Sequence, residues 1–325
     1  MLSRVADSLY WMSRYLERAE HTARTLDVHL TLMLDQFHES APRRWQRMLA
    51  ALCIDDDPNP AEFDGVAVTR YLTVDHADNM ASILSCVAAS RENARQIRDS
   101  ISSEMFEQLN RLYHYVKATP FDGILKNGHS EYTSRVIEGS ALFQGVTAST
   151  ISHAEGYQFV QLGQYLERGL MTIAMLKAYS EFYLAESGES DEADSHVGHL
   201  DLVALLRCSS AFEAYCRVHT ATLRKTNILE FLLLNPDFPH SVAFSVNRLA
   251  RALNTVGREG RGLDTGRTDR LIGRLQAKLT YTAIDEVMAG DVISFLDDVA
   301  AQLEALHTAI RDVFIAYPIE KELSA

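Results

Sequence analysis

The apolar residues Leu9, Met12, Leu16, Ala19, Ala23, Leu26, Leu30 and Met33 recur at steps of 3, 4, 3, 4, 3, 4 and 3. That spacing marks the seam of a helix packed lengthwise against other helices. Phe159, Leu162, Leu166, Gly169, Ile173 and Leu176 repeat the same steps 150 positions later. Both seams carry one tetrapeptide, Tyr15-Leu16-Glu17-Arg18 and Tyr165-Leu166-Glu167-Arg168. In each copy the Glu stands one residue past a seam Leu, at the edge of the buried stripe. A carboxylate and a guanidinium placed there must find partners as the helices close.

The rest of the chain also reads as helical. Pro is scarce, 7 in 325 residues, and alternating Val/Ile/Thr runs are absent. The predicted fold class is all-α, a bundle of long antiparallel helices with an internal pseudo-repeat. No Pro or Gly interrupts the chain from Met1 to Pro42. That permits about 35 helical residues, roughly 50 Å, a length typical of bundles. A shorter helix is expected over 43–53, broken by the run Asp55-Asp56-Asp57-Pro58-Asn59-Pro60. A second long helical region is expected over 75–117, capped by Asp75 or Asp78 and stopped by Ala118-Thr119-Pro120. Ser102 or Ser103 within it reads as a kink or a fresh N-cap. Further helices are expected over 130–149, 154–184, 198–222, 240–257, 267–289 and 291–316. The acidic run 187–195 reads as a solvated loop and is the best internal punctuation. The chain is therefore read as a single domain, 1–325, with 1–150 and 151–325 as its halves. A flexible basic loop is expected around Arg258, Arg261 and Arg267.

A net charge of −13 supplies no basic field for nucleic acid, so none is expected as a partner. Cys53, Cys86, Cys208 and Cys216 are scattered, without a CxxC, and read as free thiols in a reducing cytosol. The chain opens on an amphipathic helix carrying Arg4, Asp7, Arg14 and Glu17 rather than on a leader, and no apolar run is long enough to cross a bilayer. A cytoplasmic protein without membrane contact is expected, and self-association is left open.

The candidate polar cluster comprises Arg14, Glu17, Arg18, Glu20 and Arg24 on the first helix, Arg91, Glu92, Arg95 and Arg98 on the second region, and Glu167 and Arg168 on the repeat. Arg91, Arg95 and Arg98 are spaced four and three apart, which puts them on one face. Two uses stay open. The guanidiniums could grip a carboxylate or phosphate through forked bonds. They could equally pair with the neighbouring carboxylates and set the register of the bundle, adding little net stability. A carboxylate among so many guanidiniums has its pKa pushed down and makes a poor base, which favours binding over catalysis. Glu17, Glu20 and His21 fall short of a di-iron site, which needs Glu-x-x-His on two helices, whereas the second copy continues Gly169-Leu170-Met171. No metal or other cofactor is expected. With no Gly-x-Ser-x-Gly, P-loop or Cys-His setting, no catalytic residue is assigned.

The segments MLSRVADSLYWMSRYLERAEHTAR, SRENARQIRD, LGQYLERG, LLRCSSAFEAY and EFLLLNPDFPHSVAFSVNRL, in order from residue 1 to about 250, resemble the alpha-E family of helical domains, known for its Glu-Arg motif. The resemblance implies one wholly helical domain. It also implies partners, an ATP-grasp carboxylate-amine ligase and a transglutaminase-like protein, in a system that makes or modifies small peptides. A helical accessory protein of such a ligase is the function it points to. The alternative is an enzyme or binding protein whose polar pocket takes an amino-acid or peptide intermediate. Carried onto this chain, the motif falls on Glu17, Arg18, Glu20 and Arg24, on Arg91, Glu92 and Arg95, and on Glu167 and Arg168. One departure stands out: Leu170 and Ala174 occupy the places that Glu20 and Arg24 hold in the first copy.

Overall fold

The computed structural model describes residues 3–33, 41–54, 65–75, 79–186, 196–219, 222–259 and 264–315. Among these, the regular structure is helical. The order is α1 (Ser3–Met33), α2 (Ala41–Ala51), α3 (Gly65–Thr73), α4 (Ile83–Gln96), α5 (Ser103–Ala118), α6 (Phe121–Asn127), α7 (His129–Thr150) and α8 (Glu155–Glu186). There follow α9 (His196–Cys208), α10 (Phe212–His219), α11 (Lys225–Leu234), α12 (Val242–Glu259), α13 (Gly266–Tyr281), α14 (Ile284–Ala289) and α15 (Val292–Ile310), the last running into a wider π turn, Arg311–Ile315.

The two seams form the spine. Leu9 touches Gly156, Arg14 and Arg18 meet Glu167, and His29 meets Tyr179, so α1 and α8 run parallel, side by side, at an offset close to 150 residues. This contact extends over some 20 residues, roughly 30 Å. The seam residues Leu9, Met12, Leu16, Ala19, Ala23 and Leu26, and Phe159, Leu162, Leu166, Ile173 and Leu176, are all buried.

Around each spine helix the others close a ring. α1 packs on α4 and α7, and α5 bridges those two; α8 packs on α12 and α15, and α13 bridges them. Contacts between neighbours in a ring run in opposite directions. Gln108 of α5 reaches Gly139 while Ser102 reaches Thr150, and Lys278 of α13 reaches Asp298 while Arg267 reaches Asp312. Among the described residues these ring neighbours are thus antiparallel, whereas the two spine helices are parallel. α2 and α3 cover the far end of α1 through a smaller core of Leu26, Trp45, Met48, Leu49, Val68 and Leu72.

Several expected elements divide. The region 75–117 is two helices, because Ile97 leaves helical geometry at φ −120° and a 3-10 turn, Arg98–Ser100, intervenes. Ser82, rather than Asp75, caps α4, and Ser102 caps α5 through the Met105 N–H. The region 198–222 breaks at Ser210, which takes a positive φ of 51°. The region 267–289 breaks between Tyr281 and Ile284, and α3, α6 and α11 add to the expected helices. Asp78, the 55–60 break, the acidic run 187–195 and Arg261 lie outside the described residues.

Candidate functional site

The two Glu-Arg pairs exchange partners across the spine. Arg168 grips Glu17 with both arms, Nε to Oε1 at 2.5 Å and Nη2 to Oε2 at 3.0 Å. Arg18 Nε donates to Glu167 Oε1 at 2.6 Å, and Arg14 Nε donates to Glu167 Oε2 at the same distance. Because the helices are parallel and in register, each Glu faces the other copy's Arg rather than its own neighbour. Close approach is permitted by Gly163, which lies against the Tyr10 carbonyl and the Ser13 side chain.

Glu167 is wholly enclosed and Glu17 nearly so, at 0% and 3% exposure. Their environments pull apart. Burial raises the Glu17 carboxyl above its ordinary value, and Arg168 only partly offsets that. Burial pushes Glu167 the same way, but Arg14 and Arg18 together overcome it and hold this carboxyl below its ordinary value. Gln144 of α7 donates to Glu17 Oε2 (3.2 Å), and Arg168 Nη1 donates to the Pro239 carbonyl (3.3 Å). At the other end Tyr10 bonds to His307 Nδ1 at 2.7 Å, beside Arg14. Sequence reasoning misses Gln144, Pro239 and His307, because no motif or spacing ties them to the Glu-Arg pairs.

The remaining candidates go elsewhere. Glu20 and Arg24 pair with each other along α1. Arg91, Glu92, Arg95 and Arg98 do not join the quartet, a correction to the cluster drawn from spacing. Arg91 donates to Asn110 of α5 (2.7 Å) and stacks on Tyr113. Arg95 and Glu92 pair with each other in solvent, and Arg98, past the end of α4, lies over Phe106. Arg91 and Arg98 face α5 and Arg95 and Glu92 face solvent, because α4 turns its Ser90 side, not its Arg side, to α1: Ser90 Oγ donates to the Met12 carbonyl. No group of three or more His, Cys, Asp or Glu able to hold a metal occurs among the described residues.

A cleft of about 430 Å³ opens beside the Glu167 end of the quartet, and Glu17 and Arg91 do not line it. Arg14, Arg18 and Glu167 form its inner wall, Leu170, Met171 and Ala174 of α8 its floor, and α2 and α15 its sides. No helix among the described residues is long and apolar enough to cross a membrane.

No solved structure matches the chain. An uncharacterized protein of Mycobacterium bovis is 25% identical over 334 aligned positions, covering 95% of this chain and 36% of the relative. One of Mycobacterium tuberculosis strain H37Rv is 24% identical over the same span and the same shares. The chain therefore spans little more than a third of the curated relatives it matches. Residues 1–315 match the model of a family described as a predicted alpha-helical domain with a conserved ER motif, and with Glu17-Arg18 and Glu167-Arg168 interlocked at its centre the chain belongs to that family, alpha-E.

Proposed function

We propose that this chain is a non-catalytic helical partner protein, an accessory to a carboxylate-amine ligase of the ATP-grasp type. The Glu-Arg pairs act as the lock that joins two equivalent halves, 1–150 and 151–325, and so hold the outer surface in shape for its partner. The observation that carries this reading is the crossed pairing of Glu17 with Arg168 and of Arg18 with Glu167 in buried surroundings. Neither carboxylate is free to act as a base. Glu17 is enclosed and held by both arms of Arg168, and Glu167 has an arginine on each oxygen, which keeps it ionised and weakly basic. A slip of one helical turn would bare both carboxylates and three guanidiniums, so the pairs favour a single register. In the mycobacterial relatives the matching region is 36% of a longer protein, which fits a domain that works beside another.

The test combines Glu17→Gln, Glu167→Gln and the double variant with two readouts, thermal melting and co-elution with an ATP-grasp ligase from the same genome. The expected result is co-elution of the wild-type chain and a collapse of melting in the variants. A wild-type chain that never co-elutes with the ligase removes the partner. Variants that melt normally but lose the ligase would make the quartet the docking site itself, and the lock reading would fail.

A further inference from the structure

The two ends of the quartet differ in charge. Glu17 meets one guanidinium, that of Arg168, whereas Glu167 meets two, those of Arg14 and Arg18. At the 150-residue offset the counterpart of Arg14 is the neutral Gln164. The Glu167 end thus carries one positive charge more than it neutralises. His307 does not add to it: burial, with Arg14 and Arg311, pushes its pKa down to about 4, so it is neutral. Arg18 spends only Nε on Glu167. Its Nη1 and Nη2 make no hydrogen bond among the described residues, and its side chain is 26% exposed toward the cleft. A guanidinium left half-buried with its fork free is a site for a planar anion.

The floor of the cleft is where the second copy departs from the first. Glu20 and Arg24 fill the face of α1 with an ion pair, whereas Leu170 and Ala174 leave the corresponding face of α8 apolar and open. On the rim stands Glu304 of α15, exposed and without an ion pair among the described residues. With the lining's Lys177 paired to Asp297, a cation inside, an apolar floor and an anion at the mouth are the complement of a small zwitterion. Inorganic phosphate would use the fork and waste the floor.

We propose that this cleft binds an apolar α-amino acid or its dipeptide, with the carboxylate forked on Nη1 and Nη2 of Arg18, the side chain on Leu170, Met171 and Ala174, and the ammonium toward Glu304. The inference goes beyond the partner reading and does not depend on it. A volume of about 430 Å³ lies within the ordinary range of small-ligand sites.

The experiment is isothermal titration of the full chain with leucine, leucyl-leucine, 4-methylpentanoate (the carboxylate without the ammonium) and inorganic phosphate. Two variants accompany it. Arg18→Gln removes the fork, and Ala174→Arg fills the cleft while leaving every quartet side chain in place. Leucine or leucyl-leucine is expected to bind, with 4-methylpentanoate at least about fivefold weaker and phosphate not binding. Ala174→Arg is expected to abolish binding at an unchanged melting temperature, and Arg18→Gln to weaken it about tenfold or more. The proposal is overturned if neither zwitterion binds below about 10 mM, if phosphate alone binds, or if Ala174→Arg binds as the wild type does. Ligase co-elution of Ala174→Arg is scored separately, so loss of the ligand and loss of the partner are told apart.

Discussion

Gly163 packs against the backbone carbonyl of Tyr10, so closely that a Cβ at this position would enter the carbonyl oxygen. Backbone cannot yield as a flexible side chain can, and the contact lies within the parallel spine. Gly163→Ala should therefore cost at least about 3 kcal/mol through overpacking. Gly273, in the exposed interior of α13, has only open space within 4 Å of where a Cβ would stand. There the same change should stabilise by about 0.5–1 kcal/mol through helix propensity. Urea unfolding of the two variants side by side checks both signs, and equal effects would show that the spine is looser than the Gly163–Tyr10 contact requires.

The crossed pairs should show strong coupling. Glu17→Met leaves the Arg168 guanidinium enclosed and unpaired, and Arg168→Met does the same to the Glu17 carboxylate, so each should cost about 3–5 kcal/mol. Removing both ends at once leaves no bare charge, and the double variant should cost far less than the sum. A double-mutant cycle is expected to return a coupling of about 2 kcal/mol or more. Additive single effects would mean that water reaches the pair. Arg95→Ala is the internal control, since its pairing with Glu92 lies in solvent; the midpoint should not move.

The spine and quartet were legible because a period of 3 and 4 fixes which face a helix buries, and a tetrapeptide repeated in the same phase of two seams must meet its copy if the seams meet. The parallel direction was not legible, for the pattern is the same either way. Spacing also put Arg91, Arg95 and Arg98 on one face without saying which neighbour that face would meet. Arg98 then fell past the end of α4, where Ile97 leaves helical geometry. The breaks at Ser210 and after Tyr281 carry no Pro or Gly and could not be read from punctuation. The cleft depends on what Leu170 and Ala174 lack, and on α2 and α15, which lie far from the motif in sequence. Its only trace in the sequence is the departure of the second copy from the first.

Helix caps offer a smaller and cleaner effect. Ser82 Oγ accepts the Ser85 N–H at the start of α4, and Ser241 Oγ accepts the Phe244 N–H at the start of α12, the matching helix of the other ring. Each satisfies an amide that the helix itself cannot. Ser82→Ala and Ser241→Ala should each cost about 1 kcal/mol, and the two should add, since they lie in different rings. Denaturant midpoints of the single and double variants measure this. An effect several times larger at Ser241 would mean that the Asn235–Ser241 loop, which also carries the Pro239 carbonyl bonded to Arg168, moves with its cap.

Acid should destabilise the fold well above the carboxylate range. His21 and His29 are buried, and desolvation pushes both pKa values down to about 4. In the unfolded chain a histidine titrates near about 6.5. Between those values the unfolded state takes up protons that the folded state refuses, so unfolding free energy is full above about pH 6.5 and falls steadily toward about pH 4. His307 adds to the same window. Glu167, whose carboxyl is held low by its arginines, extends the loss below its ordinary range, while Glu17, raised by burial, offsets part of it by accepting a proton early. Each enclosed histidine is worth on the order of 3 kcal/mol over the window. Urea midpoints measured at about pH 7.5 and about pH 5 should therefore differ clearly. His29→Gln should narrow the gap, because glutamine at this position, where His29 Nδ1 donates to the Thr25 carbonyl, can still donate but cannot titrate. Identical midpoints at the two pH values would mean that His21 and His29 are protonated in the folded chain, and that the core around them is wet.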